Sequence, residues 1–129
     1  MLDKFPSSTI GLIGHERLVG EKGTTTIISF KRFEQPSKFK EIVIIDPMIA
    51  TGGTLKEVLT ELLKNGRPEK VIVSSILLTE IAIGKIGDYV DYIYTCSVEK
   101  GLERVAWLNP GIRGTKDLGD IIFNTKLDW

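Results

Sequence analysis

Residues 40–55 read KEIVIIDPMIATGGTL. They open on an uninterrupted apolar run, Ile42, Val43, Ile44 and Ile45, held between Lys40-Glu41 and Asp46-Pro47. A β-branched run so short and so bounded predicts a strand buried on both faces, as in a parallel sheet. Asp46 falls at its carboxyl end. A loop over 47–53 follows. Leu55, Val58, Leu59, Leu62 and Leu63 then recur at spacings of three and four, the period of a helix packed by one face.

Strand, acid, glycine-bearing loop and helix start together suit a phosphorylated ligand. Gly52 and Gly53 have no Cβ, so the chain can turn tightly and approach a phosphate. The first N–H groups of a helix have no partner within it, and the positive end of its dipole favours an anion, so the amides of 50–54 are candidate phosphate donors. Thr51 and Thr54 add hydroxyls. The Asp46 carboxylate would repel phosphate and suits vicinal sugar hydroxyls instead. A glycine pair alone need only connect a strand to a helix; the ordered series after a buried strand is the context a phosphate loop requires.

Outward from this centre, strand and helix patterns alternate. Pro6 stops a short helical stretch over 2–5. TIGLIG, residues 9–14, predicts a second buried strand. Gly20 and Gly23 mark a turn, and the β-branched and aromatic residues of 24–33 predict an antiparallel excursion. After the central helix, Asn65-Gly66-Arg67-Pro68 is a stop signal. KVIVSSIL, residues 70–77, is the next buried strand. Thr79 caps a short helix reaching 86, and DYIYTCSV, residues 91–98, is the last core strand. The expected fold is α/β, a parallel sheet flanked by helices on both faces, with the ligand at the carboxyl ends of the strands. Residues 99–129 carry Pro110, Gly111, Gly114 and Gly119 among Trp107, Leu108, Ile112, Ile121, Ile122 and Phe123, a packed irregular segment.

Composition sets the outer bounds. A chain of 129 residues is one domain: strand and β excursion over 10–33, core over 40–98, C-terminal segment over 99–129. Seventeen basic and seventeen acidic residues give no net charge, so nothing points to nucleic acid. The one cysteine, Cys96, excludes an internal disulfide or a multi-cysteine zinc site, and its apolar setting predicts a buried, inert thiol. The one histidine, His15, reads as a polar surface residue without a role. No apolar stretch spans a bilayer and MLDKFPSST lacks a signal-peptide layout, so a cytoplasmic protein without a membrane partner is expected.

The run IIDPMIATGGT resembles the 5-phosphoribosyl-1-diphosphate (PRPP) loop of type I phosphoribosyltransferases. With proline after the first acid, as in Asp46-Pro47-Met48, it resembles that of uracil phosphoribosyltransferases. Residues 13–17, IGHER, are similar to the segment where that family carries a PRPP-binding arginine, which implies that Arg17 grips phosphate oxygens through its planar fork; on position alone Arg17 is a solvated charge in a hairpin. Pro110-Gly111-Ile112, Asp117-Leu118-Gly119-Asp120 and Ile122-Phe123 resemble the family's C-terminal hood. The resemblance implies a PRPP and phosphate set of Arg17, Asp46, Pro47, Met48, Ile49, Ala50, Thr51, Gly52, Gly53, Thr54 and Asp117. It puts the reading of uracil on Leu108, Lys116, Asp117 and Leu118, and the catalytic roles on Asp46, Asp117 and Arg17. Mg²⁺ would travel with PRPP, and a homo-oligomer is implied.

The resemblance also has departures. Residues 113–116 stand where the family has one glycine, Lys116 replaces the glycine before Asp117, and Leu118 replaces a small residue, so the hood either rebuilds itself around uracil or is only a lid on the core. The family's N-terminal arm and its pyrophosphate loop have no counterpart in these residues. In the family the strand carrying that loop lies beside the one ending in the PRPP loop, so the resemblance implies a gap or an unpaired edge in the sheet. Three expectations follow: an enzyme making UMP and pyrophosphate from uracil and PRPP in pyrimidine salvage, completed by oligomerisation; an inactive UMP- or PRPP-binding or regulatory paralogue; or a fragment of a longer enzyme.

Overall fold

The computed structural model describes residues 7–20 and 23–102. β1 (Leu12–Gly20) and β2 (Gly23–Arg32) form an antiparallel hairpin, with Leu12 opposite Arg32 and Gly20 opposite Gly23. The excursion expected over 24–33 is therefore present. Its partner β1, read as a buried strand, is instead an arm of a separate two-stranded sheet, and Ile10 and Leu12 are exposed.

The larger sheet is parallel and built on β5 (Lys70–Thr79). β3 (Glu41–Ile45) and the two-residue β4 (Met48–Ile49) pair with one side of β5; β6 (Tyr92–Glu99) pairs with the other. β3 and β4 are one line of chain interrupted at Asp46-Pro47. Proline has no N–H for a ladder. Its carbonyl serves instead, accepting from Ile76 N at 3.1 Å and Leu77 N at 3.2 Å. The loop expected over 47–53 thus contains a strand.

Two helices cover one face. α1 (Gly53–Leu63) buries Leu55, Val58, Leu59 and Leu62, the residues its period singled out. α2 (Glu80–Ile86) buries Ala82 and Ile86. Leu55 and Leu59, Ala82 and Ile86, Ile49, and Val71, Val73 and Leu78 of β5 form one cluster. Helices on both faces were expected, yet both described helices lie on the same one. The reason is handedness. The chain steps from β3 through α1 to β5 and through α2 to β6, always in one direction, and right-handed crossovers then put every helix on one side.

The strand decided by residues 42–45 is consequently not buried on both faces. Ile42 and Ile44 stand opposite Val71 and Val73 and pack on the helical side. Val43 and Ile45 point the other way and are 51% and 63% exposed. β6 was read as a core strand, but it lies at the sheet's other side, with Tyr92 and Tyr94 exposed and stacked, ring centroids 6.5 Å apart. Cys96 is exposed rather than buried, because it belongs to this uncovered strand.

The polar signals for helix ends hold. Thr79 Oγ1 accepts from Ala82 N at 3.1 Å and caps α2. α1 stops as the Asn65-Gly66 signal implies: Gly66 has φ +128°, where a Cβ would come 2.9 Å from the Ser37 side chain. Asp91 ties the two core strands at their starts. Its Oδ2 accepts from Val71 N at 2.8 Å and from Arg67 Nη2 at 2.6 Å, while Arg67 Nη1 donates to Tyr89 O at 2.7 Å.

Candidate functional site

The three strands run in parallel, so the loop after β3 and the ends of β5 and β6 share one edge, the carboxyl edge where open α/β sheets bind ligands. Asp46 sits there, one residue past β3 and half-buried. Its N–H donates to Ser74 O at 3.1 Å, and its Oδ1 accepts from Met48 N at 3.1 Å. The backbone is thereby held to β5 and the carboxylate is folded over the turn that Pro47 begins. Ile49 is 3% exposed within the core cluster, so of the predicted contact residues it offers only main chain to a ligand.

From Ala50 the chain turns into α1. Gly52 is the residue before the helix and adopts φ +69°, ψ 2°, a left-handed conformation that costs other residues about 1–2 kcal/mol. It also lies against α2: a Cβ there would stand 3.0 Å from Ala82 Cα. Both constraints demand glycine. Gly52 O accepts the first helical bond, from Lys56 N at 2.9 Å. No side chain of residue 52 caps α1, and its first turn carries no acid to compete with an anion. Thr51 is exposed; its Oγ1 accepts from Gly53 N at 3.4 Å. Thr54 is half-buried in the first turn.

One residue of this arrangement was legible only as a cap. Thr79 is fully buried, and besides capping α2 its hydroxyl donates to Ala50 O. It therefore locks the loop to the end of β5. Ala82 is its companion, the small residue on which Gly52 rests. A threonine before a helical pattern signals an N-cap; nothing in the spacing between 50 and 79 signals the second bond.

The structure brings together Asp46, Pro47, Met48, Ile49, Ala50, Thr51, Gly52, Gly53 and Thr54. Arg17 lies in β1 opposite Thr26, on the hairpin, and its side chain is outside the described residues. Leu108, Lys116, Asp117 and Leu118 also lie outside them. Among the described residues no group of three or more His, Cys, Asp or Glu could hold a metal ion. A groove walled by Lys31, Phe33, Pro36 and Leu62 shares no residue with the loop.

These features define a class: a parallel α/β domain that presents a strand-end acid and a glycine-started helix at the carboxyl edge of its sheet. The particular family follows from comparison. The uracil phosphoribosyltransferase family model matches residues 1–125, and the chain belongs to that family. It is 32% identical to a uracil phosphoribosyltransferase of Clostridium beijerinckii, covering 98% of this chain and 58% of that one. To one of Methanothermobacter thermautotrophicus it is 30% identical, covering 96% and 55%. The solved AQ2163 protein of Aquifex aeolicus superposes with a TM-score of 0.71 at 28% identity, over 98% of this chain and 58% of that one. The chain thus spans little more than half the length of the relatives it matches.

Proposed function

We propose that the chain carries the PRPP-binding part of a uracil phosphoribosyltransferase site, and that the site transfers ribose 5-phosphate to uracil, giving UMP and pyrophosphate in pyrimidine salvage. The observation behind this reading is the loop itself: a half-buried strand-end acid, a left-handed Gly52 and a first turn of α1 without an acidic residue, in a chain of this family.

In this reading the C1–oxygen bond to pyrophosphate breaks, a bond from C1 to a uracil ring nitrogen forms, and the ring N–H proton goes to solvent. Asp46 holds the ribose hydroxyls and favours the positive charge that develops on the sugar, as carboxylates do in glycoside cleavage. The amides of 50–54 with the Thr51 and Thr54 hydroxyls fix the 5-phosphate. Arg17 binds leaving oxygens, Asp117 positions PRPP, and Leu108 with Lys116 to Leu118 reads uracil. Mg²⁺ arrives as part of the PRPP complex. A single carboxylate on the loop suits an ion held mainly by phosphate oxygens and water. Rate would come from positioning and fixed charge rather than from a protein nucleophile. The setting is cytoplasmic and the assembly a homo-oligomer; among the described residues no helix is long and apolar enough to cross a membrane.

Pyrophosphate release from Mg²⁺-PRPP, with uracil, with other bases and with none, tests the reading. Uracil-dependent release that Asp46→Asn abolishes is expected. A second reading is a UMP- or PRPP-binding protein without turnover. That reading predicts no release under any condition, with saturable UMP binding weakened by Thr51→Ala.

A further inference from the structure

The start of α2 meets the loop over residues 50–54 at two points. Ala82, fully buried, stands under Gly52, where a Cβ would come 3.0 Å from Ala82 Cα. Thr79, also fully buried, reaches the loop with its hydroxyl, which accepts from Ala82 N at 3.1 Å and donates to Ala50 O. A hydroxyl has a single proton. With the oxygen turned to the Ala82 N–H, that proton is committed to Ala50 O, and the bond has a fixed sense. Thr79 ends β5, the strand that also buries Val71, Val73, Leu77 and Leu78. The loop is thereby referred to the centre of the sheet.

The consequence lies one bond further on. The C=O and N–H of a trans peptide point in opposite directions. With Ala50 O drawn inward to Thr79, the N–H of Thr51 points outward, on the side where Thr51 is exposed. Turning this peptide over needs only rotation about ψ of Ala50 and φ of Thr51, which are soft. The turned peptide would aim a carbonyl at an anion and withdraw a donor from it. We propose that Thr79 is a positioning residue for phosphate binding. Its hydroxyl holds the Ala50–Thr51 peptide with the N–H toward the ligand, so that the cradle is formed before the ligand arrives and less ordering is left to be done on binding. This rests on the reading of residues 50–54 as the 5-phosphate site, and adds to it a residue 29 positions away that acts only through Ala50.

The test titrates the 129-residue chain with ribose 5-phosphate and with Mg²⁺-PRPP and follows amide and carbonyl resonances. Thr79→Val keeps the side-chain shape and removes the proton. It should weaken both ligands by the same factor, about tenfold, and move the Ala50 carbonyl and Thr51 N–H signals of the free chain. Thr79→Ser should bring both affinities back to within about twofold. Valine also removes the α2 cap, so Ile86→Val is the control: it trims the buried end of α2 without touching the bond, and should change either affinity by less than about twofold. Wild-type affinity in Thr79→Val, with the signals of 50–54 still responding, would overturn the proposal and leave the site reading standing. So would an equal loss in Ile86→Val, or a loss confined to Mg²⁺-PRPP, since the 5-phosphate is common to both ligands. No response of residues 50–54 to either ligand in the unaltered chain would overturn the proposal and the site reading together.

Discussion

The two faces of one sheet have had opposite fates. On the helical side Val71, Val73, Leu59, Ala82 and Ile86 are sealed, and the candidate loop stands on that sealed side through Gly52 and Thr79. On the other side Val43, Ile45, Tyr92 and Tyr94 are open to water. The residue types are alike; Val43 and Val73 are turned to opposite faces of the sheet. Among the described residues burial follows topology, because both crossovers step one way and leave the second face without a described helix. The loop that carries the proposed function belongs to the sealed side and owes its shape to it.

Substitutions can break or sharpen this contrast. The largest effect is expected in the sealed core. Leu59→Ala should cost about 2–5 kcal/mol in urea unfolding, as buried leucines do. A cost below about 1 kcal/mol would mean that the two faces do not differ.

Next come the residues joining loop to core. Gly52→Val should lose about 1–2 kcal/mol from the left-handed backbone alone, with more from the contact at Ala82, and should abolish binding of PRPP. Thr79→Val should cost about 1–3 kcal/mol, since the α2 cap and the partner of Ala50 O go together; Thr79→Ser should recover most of it. On the open face, Ile45→Thr should change the free energy of unfolding by no more than about 0.5 kcal/mol.

The smallest effect is electrostatic. Hydrogen bonds from Lys31 and then Lys64 hold the Glu61 carboxyl below its ordinary 4.5, and Glu61 in turn raises Lys31 above 10.5. A carboxyl lowered on folding contributes stability that is present above about pH 4.5 and lost as the pH falls through its lowered value. Glu61→Gln should therefore flatten the acid limb of the stability curve slightly. Both lysines are exposed and Glu61 is only half-buried, so the change should be small and should shrink in salt. An unchanged acid limb at low salt would show that the pair tying β2 to α1 does not hold in solution.

How much of this was legible beforehand depended on whether the signal was local. The α1 period, the Thr79 cap, the Gly66 stop and the demand for glycine at 52 are each written within a few residues, and each was readable. The strand at 42–45 was readable as a strand, and the family resemblance implied an unpaired edge beside it, but its own residues do not show that one of its faces is open. Four consecutive β-branched residues look the same whether a neighbour covers Val43 or not, and the covering depends on strand order. Cys96 shows the same limit: an apolar strand need not be a buried one. The bond from Thr79 to Ala50 crosses 29 residues and joins two elements by a contact that no spacing encodes.

Amide resonances report most directly on the proposal that residues 46–54 hold PRPP. On titration with Mg²⁺-PRPP, the N–H signals of Ala50, Thr51, Gly52, Gly53 and Thr54 should shift together and saturate, and Asp46→Asn should weaken the saturation. Saturable shifts confined to other residues, or none at these five, would contradict the account.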